Sequence, residues 1–81
     1  MTKKVIVYST SKCPYCVKVK NYLLKNGIPF VEKLVDSDMN AANEMVKKTG
    51  MMSVPITEID GQFVSGFNKD RIDELLGLTN S

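Results

Sequence analysis

Cys13-Pro14-Tyr15-Cys16 places the two cysteines of this 81-residue chain three positions apart. A thiolate attacks disulfides, and a second thiol within reach displaces the product from the mixed disulfide that forms. Val5-Ile6-Val7-Tyr8 ahead of the pair reads as the end of a buried strand, and Ser9-Thr10-Ser11-Lys12 as a polar loop. A helix then starts at the pair, with Pro14 in the first turn, where its missing N–H costs nothing. The unpaired N–H groups and the dipole of a helix start favour an anionic Cys13, as does Lys12 beside it. Cys16 lies one turn further in, on the face that carries Val19 and Leu23, with Tyr22 beside them. It should be more buried and less acidic than Cys13. Cys13 is therefore expected to attack and Cys16 to resolve, with Pro14 and Tyr15 between them tuning the redox potential. Two structural thiols, or half of an intermolecular zinc site, are the bland alternatives. The strand–loop–C-x-x-C–helix context argues against both. The chain has no histidine, and two cysteines cannot close a four-ligand zinc site; no metal ligand is expected.

The elements around the pair follow from periodicity and punctuation. The first strand is expected over residues 3–8. Gly27 ends the first helix, and Pro29 prevents its return, while Lys18, Lys20 and Lys25 are expected to face water. A second strand is expected over 30–35. Asp36, Ser37 and Asp38 offer caps to a second helix whose inner stripe is Ala42, Met45, Val46 and Thr49, closed by Gly50. Val54-Pro55 leads into a third strand over 56–59, and Asp60-Gly61 is a two-residue hairpin turn into a fourth over 62–65. Asn68 can cap a last helix that buries Ile72, Leu75 and Leu76 and ends at Gly77. Residues 78–81 are expected to fray. The order β-α-β-α-β-β-α predicts a parallel first pair of strands with a right-handed crossover, and an antiparallel hairpin at the end. With no repeat, linker or low-complexity segment, residues 1–81 read as one α/β domain.

The net charge of +2 hides an asymmetry. Residues 1–35, which include the Cys pair, carry seven Lys and one acid, Glu32; residues 36–81 carry four basic and eight acidic residues. This is either a solvated lysine surface or a mild attraction for anionic thiols and acidic partners. Few aromatics and no dense basic cluster argue against nucleic acid. The apolar run after Lys4 is too short for a signal peptide or a membrane span, so a cytoplasmic location is expected, where a lone Cys pair is more often catalytic than structural.

Two further segments can serve the Cys pair. Val54-Pro55 is either a strand-start signal or a cis-proline facing the site, with the Val54 backbone free to pair with an extended substrate. Ser65-Gly66-Phe67-Asn68 is a glycine turn and a helix cap, or in addition a set of exposed N–H groups for a carboxylate.

Together these pieces resemble the glutaredoxin family of the thioredoxin superfamily over residues 5–76. The resemblance implies a thioredoxin fold with a four-stranded mixed sheet and three helices. It also implies glutathione as co-substrate, with no tightly bound cofactor. Glutathione would be held by residues matching Lys12, Tyr15, Val54, Pro55 and the segment Gly66, Phe67 and Asn68. Two positions depart from the family pattern. Ser53 stands where Thr is usual, and Asn68-Lys69 where an acidic pair would face the glutathione ammonium. Ser65-Gly66-Phe67 is similar to NrdH-redoxins, which are reduced by thioredoxin reductase and serve ribonucleotide reductase. The resemblance therefore leaves two reductants, glutathione or thioredoxin reductase, for a monomer acting on protein disulfides. A glutathione-assisted iron–sulfur carrier is the third reading, disfavoured by Pro14 and Tyr15.

Overall fold

The structure is a computed structural model and describes residues 4–77. Its elements are β1 (Val5–Ser9), α1 (Pro14–Lys25), β2 (Val31–Leu34), α2 (Met39–Thr49), β3 (Ile56–Ile59), β4 (Gln62–Ser65) and α3 (Lys69–Leu76). The four strands form one sheet in the order β2-β1-β3-β4. β1 runs parallel to β2 and antiparallel to β3, which forms an antiparallel hairpin with β4. The mixed four-stranded sheet and three helices are those expected. Lys3 at the predicted start of the first strand, and the predicted frayed tail 78–81, lie outside the described residues.

β1 is central and apolar along its length because it is covered on both faces. Val5 and Val7 point to one side and pack with Val19 and Leu23 of α1, Ile59, Val64 and Ile72 of α3. Ile6 and Tyr8 point to the other and pack with Met45 of α2 and Ile56. The pleat alone produces this alternation. Asp60 and Gly61 both adopt positive φ, at 49° and 85°, which a tight hairpin of this twist requires.

Four local expectations are corrected and one is narrowed. β1 extends to Ser9, whose C=O accepts from Val35 N–H at 2.9 Å, and β2 is shorter than 30–35 because pairing stops at Ser9 with Leu34. The α2 stripe is rotated: Ala41 and Met45 are buried, while Ala42, Val46 and Thr49 are half-buried. Of the three candidate caps, Asp38 serves, accepting from Asn40 N–H at 3.0 Å and Ala41 N–H at 3.2 Å. Lys20 is not a free surface lysine but is paired with Glu32 of β2.

Candidate active site

Both sulfurs are free thiols at the start of α1. Cys13 is the N-cap, with extended backbone (φ −110°, ψ 109°), and Pro14 is the first helical residue. The Cys13 Sγ accepts a hydrogen bond from the Cys16 backbone N–H at 3.2 Å. This is the capping geometry usually supplied by an oxygen, and it directs a donor at the sulfur that gains strength as negative charge builds there. Cys13 remains partly accessible, whereas Cys16 is wholly buried. Burial first, and then the Cys13 sulfur, push the Cys16 thiol up to about 11; the Thr10 backbone and the Lys20 charge oppose that shift. The two thiols are thus unequal in access and in environment.

The loop between β1 and Cys13 is tied down from outside. Ser11 donates to the Asp36 carboxylate twice, from its backbone N–H at 3.1 Å and its hydroxyl at 2.7 Å. These two bonds, hydroxyl first, hold the Asp36 carboxyl below its usual range. Asp36, expected among the caps of the second helix, therefore serves the redox loop instead.

The Val54-Pro55 peptide bond is cis. The β1–β3 ladder ends with Tyr8 opposite Ile56, so the chain at Pro55 and the chain leading to Cys13 leave the sheet at the same end. Val54 therefore stands at the same end of the sheet as the Cys pair. Its side chain packs half-buried on the Ile6, Tyr8, Met45 and Ile56 cluster, and among the described residues its backbone makes no hydrogen bond. Gly66, at φ 73°, donates its N–H to the Pro55 carbonyl at 2.8 Å, which joins two predicted site segments directly. Phe67 lies edge-on to Tyr22 of α1, with ring centroids 5.9 Å apart. The Asn68 side chain caps α3, accepting from Arg71 N–H at 3.2 Å. Lys69 turns toward Asp73, at 3.6 Å, and over the Tyr22 ring.

Lys12 and Tyr15 are exposed, and the Lys18 ammonium sits 5.0 Å above the Tyr15 ring. The structure thus brings Cys13 to Cys16 and Pro55 to Gly66, whereas it shows no direct contact of Lys12 with either sulfur. Sequence reasoning did not single out Asp36 and Ser11, the Lys20–Glu32 pair, or the exposed Met51 and Met52 before Val54. The helical spacing of Cys16 and Lys20 was a usable signal for the second, and the Asp36–Ser11 contact spans 25 residues. Among the described residues no group of three or more His, Cys, Asp or Glu is placed to hold a metal ion, and no helix is long and apolar enough to cross a membrane.

A sheet of this order flanked by three helices, with two unequal thiols at the start of the first helix, defines a redox protein of thioredoxin fold. The thioredoxin-like protein BC3987 superposes with a TM-score of 0.86 at 36% identity, covering 90% of this chain and 100% of that one. The glutaredoxin family model matches residues 5–64, so the chain belongs to the glutaredoxin family. It is similar to an uncharacterized glutaredoxin-like 8.6 kDa protein in the rubredoxin operon of Clostridium pasteurianum, 43% identical over 86% of this chain and 93% of that protein. It is also similar to glutaredoxin 3 of Escherichia coli K12, 36% identical over 76% of this chain and 75% of that protein. Membership carries the family's general chemistry, thiol–disulfide exchange.

Proposed function

We propose that this chain reduces protein disulfides and glutathione mixed disulfides through a two-thiol cycle at Cys13 and Cys16. The Cys13 thiolate attacks one sulfur of the substrate disulfide, forming a mixed disulfide and expelling the other sulfur as a thiolate that takes up a proton. Cys16 then gives up its proton and attacks the Cys13 sulfur. The second substrate thiolate leaves, and an internal Cys13–Cys16 disulfide remains. Two electrons have passed to the substrate, and two thiols of a reductant restore the pair. The observation that carries this reading is the Cys16 N–H bond to the sulfur of a partly accessible Cys13, with Cys16 itself buried.

The remaining residues bind. Tyr15 and Lys12 flank the partly accessible sulfur, the free Val54 backbone beside Pro55 clamps an extended substrate, and Gly66, Phe67 and Asn68 border the far side. Glutathione is the co-substrate in this reading, and the protein acts as a single-domain monomer in the reducing cytoplasm.

A second reading, in which thioredoxin reductase supplies the electrons and ribonucleotide reductase receives them, is favoured by Asn68-Lys69. Asn68 spends its side chain on the helix cap, and Lys69 adds a cation where a substrate ammonium would need an acid. Loss of such a charge-assisted contact weakens glutathione binding by about 1–2 kcal/mol. NADPH consumption separates the readings: it is followed with glutathione and its reductase, or with thioredoxin reductase, using a protein disulfide as acceptor. Turnover in the glutathione arm supports the first; turnover confined to the other arm transfers the protein to the second. Cys13→Ser should abolish both. Cys16→Ser should accumulate mixed disulfides, and full dithiol turnover by that variant contradicts the assignment of roles.

A further inference from the structure

We propose that Lys12 and Lys18 make the approach to Cys13 a cationic docking surface, and that the partner it fits is a protein segment with acidic side chains beside its disulfide cysteine. The inference deepens the proposed reduction of protein disulfides and rests on Cys13 being the attacking thiol. Ion pairing divides the basic residues in two. Lys20, Lys33, Lys48, Lys69 and Arg71 each meet a carboxylate of this chain. Among the described residues no carboxylate lies within ion-pair distance of Lys12, Lys18 or Lys25. The acids of the sheet and of the turn before α2 are taken: Glu32, Glu44 and Glu58 by the lysines opposite them, Asp36 by Ser11, and Asp38 by the first N–H groups of α2. The basic excess of the first 35 residues therefore survives folding as unpaired charge.

Two of these three cations sit at the thiols. Lys12 is exposed and directly precedes Cys13. Lys18 follows Tyr15 by one helical turn, and its ammonium lies 5.0 Å from the centre of that ring. Tyr15 is 58% exposed and belongs to the first turn of α1, the turn that Cys13 caps. The negative face of the ring holds the ammonium toward this turn, so less side-chain freedom is lost when an anion meets it. The start of α1 adds the positive end of its dipole. A segment whose cysteine reaches the Cys13 sulfur brings its neighbouring side chains to this same helix start. The charge of those neighbours is what the surface reads.

The test mixes the reduced protein with a peptide whose cysteine carries a 2-thiopyridyl group. The Cys13 thiolate attacks the peptide sulfur, a mixed disulfide forms, and pyridine-2-thiolate leaves, takes up a proton and is followed by its absorbance. Glu or Gln flanks the cysteine on both sides. Each rate is divided by that of 2-mercaptoethanol with the same peptide, which removes the intrinsic effect of the flanking charge. The Glu peptide should then be favoured about fivefold at low salt, and the preference should fall toward one at about 0.5 M salt. Lys18→Gln should lower the preference about threefold, the size expected of one exposed ion pair. Lys25→Gln removes the same charge about 10 Å further along α1 and should leave the preference unchanged. A preference unchanged in Lys18→Gln, or lowered as much by Lys25→Gln, overturns the proposal, because the lysines then form a solvated surface or a diffuse field. So does an equal slowing by Lys18→Gln of a Gln peptide glutathionylated at its cysteine, which assigns Lys18 to glutathione. Failure of the parent reading is seen separately: thione release by Cys13→Ser at the parent rate removes the attacking role of Cys13 whichever peptide is used.

Discussion

Thr57→Val should stabilise this protein, against the usual direction of point substitutions. Thr57 lies in the middle of β3, wholly buried, between Val7 of β1 and Val64 of β4. Its backbone is engaged in the sheet, but its hydroxyl, among the described residues, has no hydrogen-bond partner. A buried hydroxyl in that state costs about 1–3 kcal/mol of folding free energy, the water it gave up being replaced by nothing. Valine has the same branched shape, suits a strand, and sets a methyl against Val7 and Val64 where the oxygen stood. Allowing for imperfect accommodation of the new methyl, the gain should be about 1–2 kcal/mol, or roughly 5–10 °C in Tm for a domain of this size. The assay is urea unfolding at neutral pH, with a raised midpoint and an unchanged slope. Thr57→Ser is the control: it keeps the unpaired hydroxyl and deletes a methyl, so it should destabilise by about 1 kcal/mol. An unchanged or lowered midpoint for Thr57→Val refutes the reasoning, because it means the hydroxyl is satisfied in solution.

Three more outcomes follow from the packing. Glu44 accepts from Lys33 at 2.7 Å and from the buried Tyr8 hydroxyl at 2.6 Å, and these two, Lys33 first, bring its carboxyl down to about 2 from 4.5. A depressed carboxyl contributes stability that is full above pH 4.5 and lost as pH falls toward 2, so the stability advantage over Glu44→Gln should shrink across that window in denaturant titrations. Leu23→Ala, at a wholly buried position in the α1 cluster, should cost about 2–5 kcal/mol by the same unfolding assay. Gly66→Ala should cost about 1–2 kcal/mol from backbone conformation alone, because φ is 73° and nothing lies within 4 Å of an added Cβ; Gly66→Asn should cost less.

Much of this architecture was legible because it is local. The Cys13 and Cys16 spacing, Pro14 in the first turn, Asp60-Gly61, and Gly27, Gly50 and Gly77 beyond their helices all act over four residues or fewer. Nearby choices were less readable. Asp36 and Asp38 are two positions apart with the same side chain, and their sequence does not say which one caps α2. Asp36 is taken by Ser11, 25 residues away, which leaves the cap to Asp38. The α2 stripe was displaced for a similar reason: alanines at 41 and 42 are equally apolar, and it is the seating of Met45 on the sheet that leaves Ala41 buried and Ala42 half-buried. Lys20 looked like any other lysine on a basic helix until Glu32 was opposite it.

The sequence by itself pointed to thiol–disulfide chemistry and the order of elements, and it ranked the two sulfurs by burial. Covalent spacing makes residues three and four apart neighbours on a helix, so a thiol at the cap stays accessible while one a turn further in can be buried. Only the tertiary structure decided the company those sulfurs keep. The parallel register that pairs Val7 with Glu32 and Ser9 with Leu34 puts a carboxylate and a buried hydroxyl on the face of Cys16. The antiparallel register that pairs Tyr8 with Ile56 brings Pro55, and through it Gly66, to the same end of the sheet. A shift of either register by one residue would turn these side chains to the opposite face. Register follows from burying all the apolar faces at once and not from any one segment.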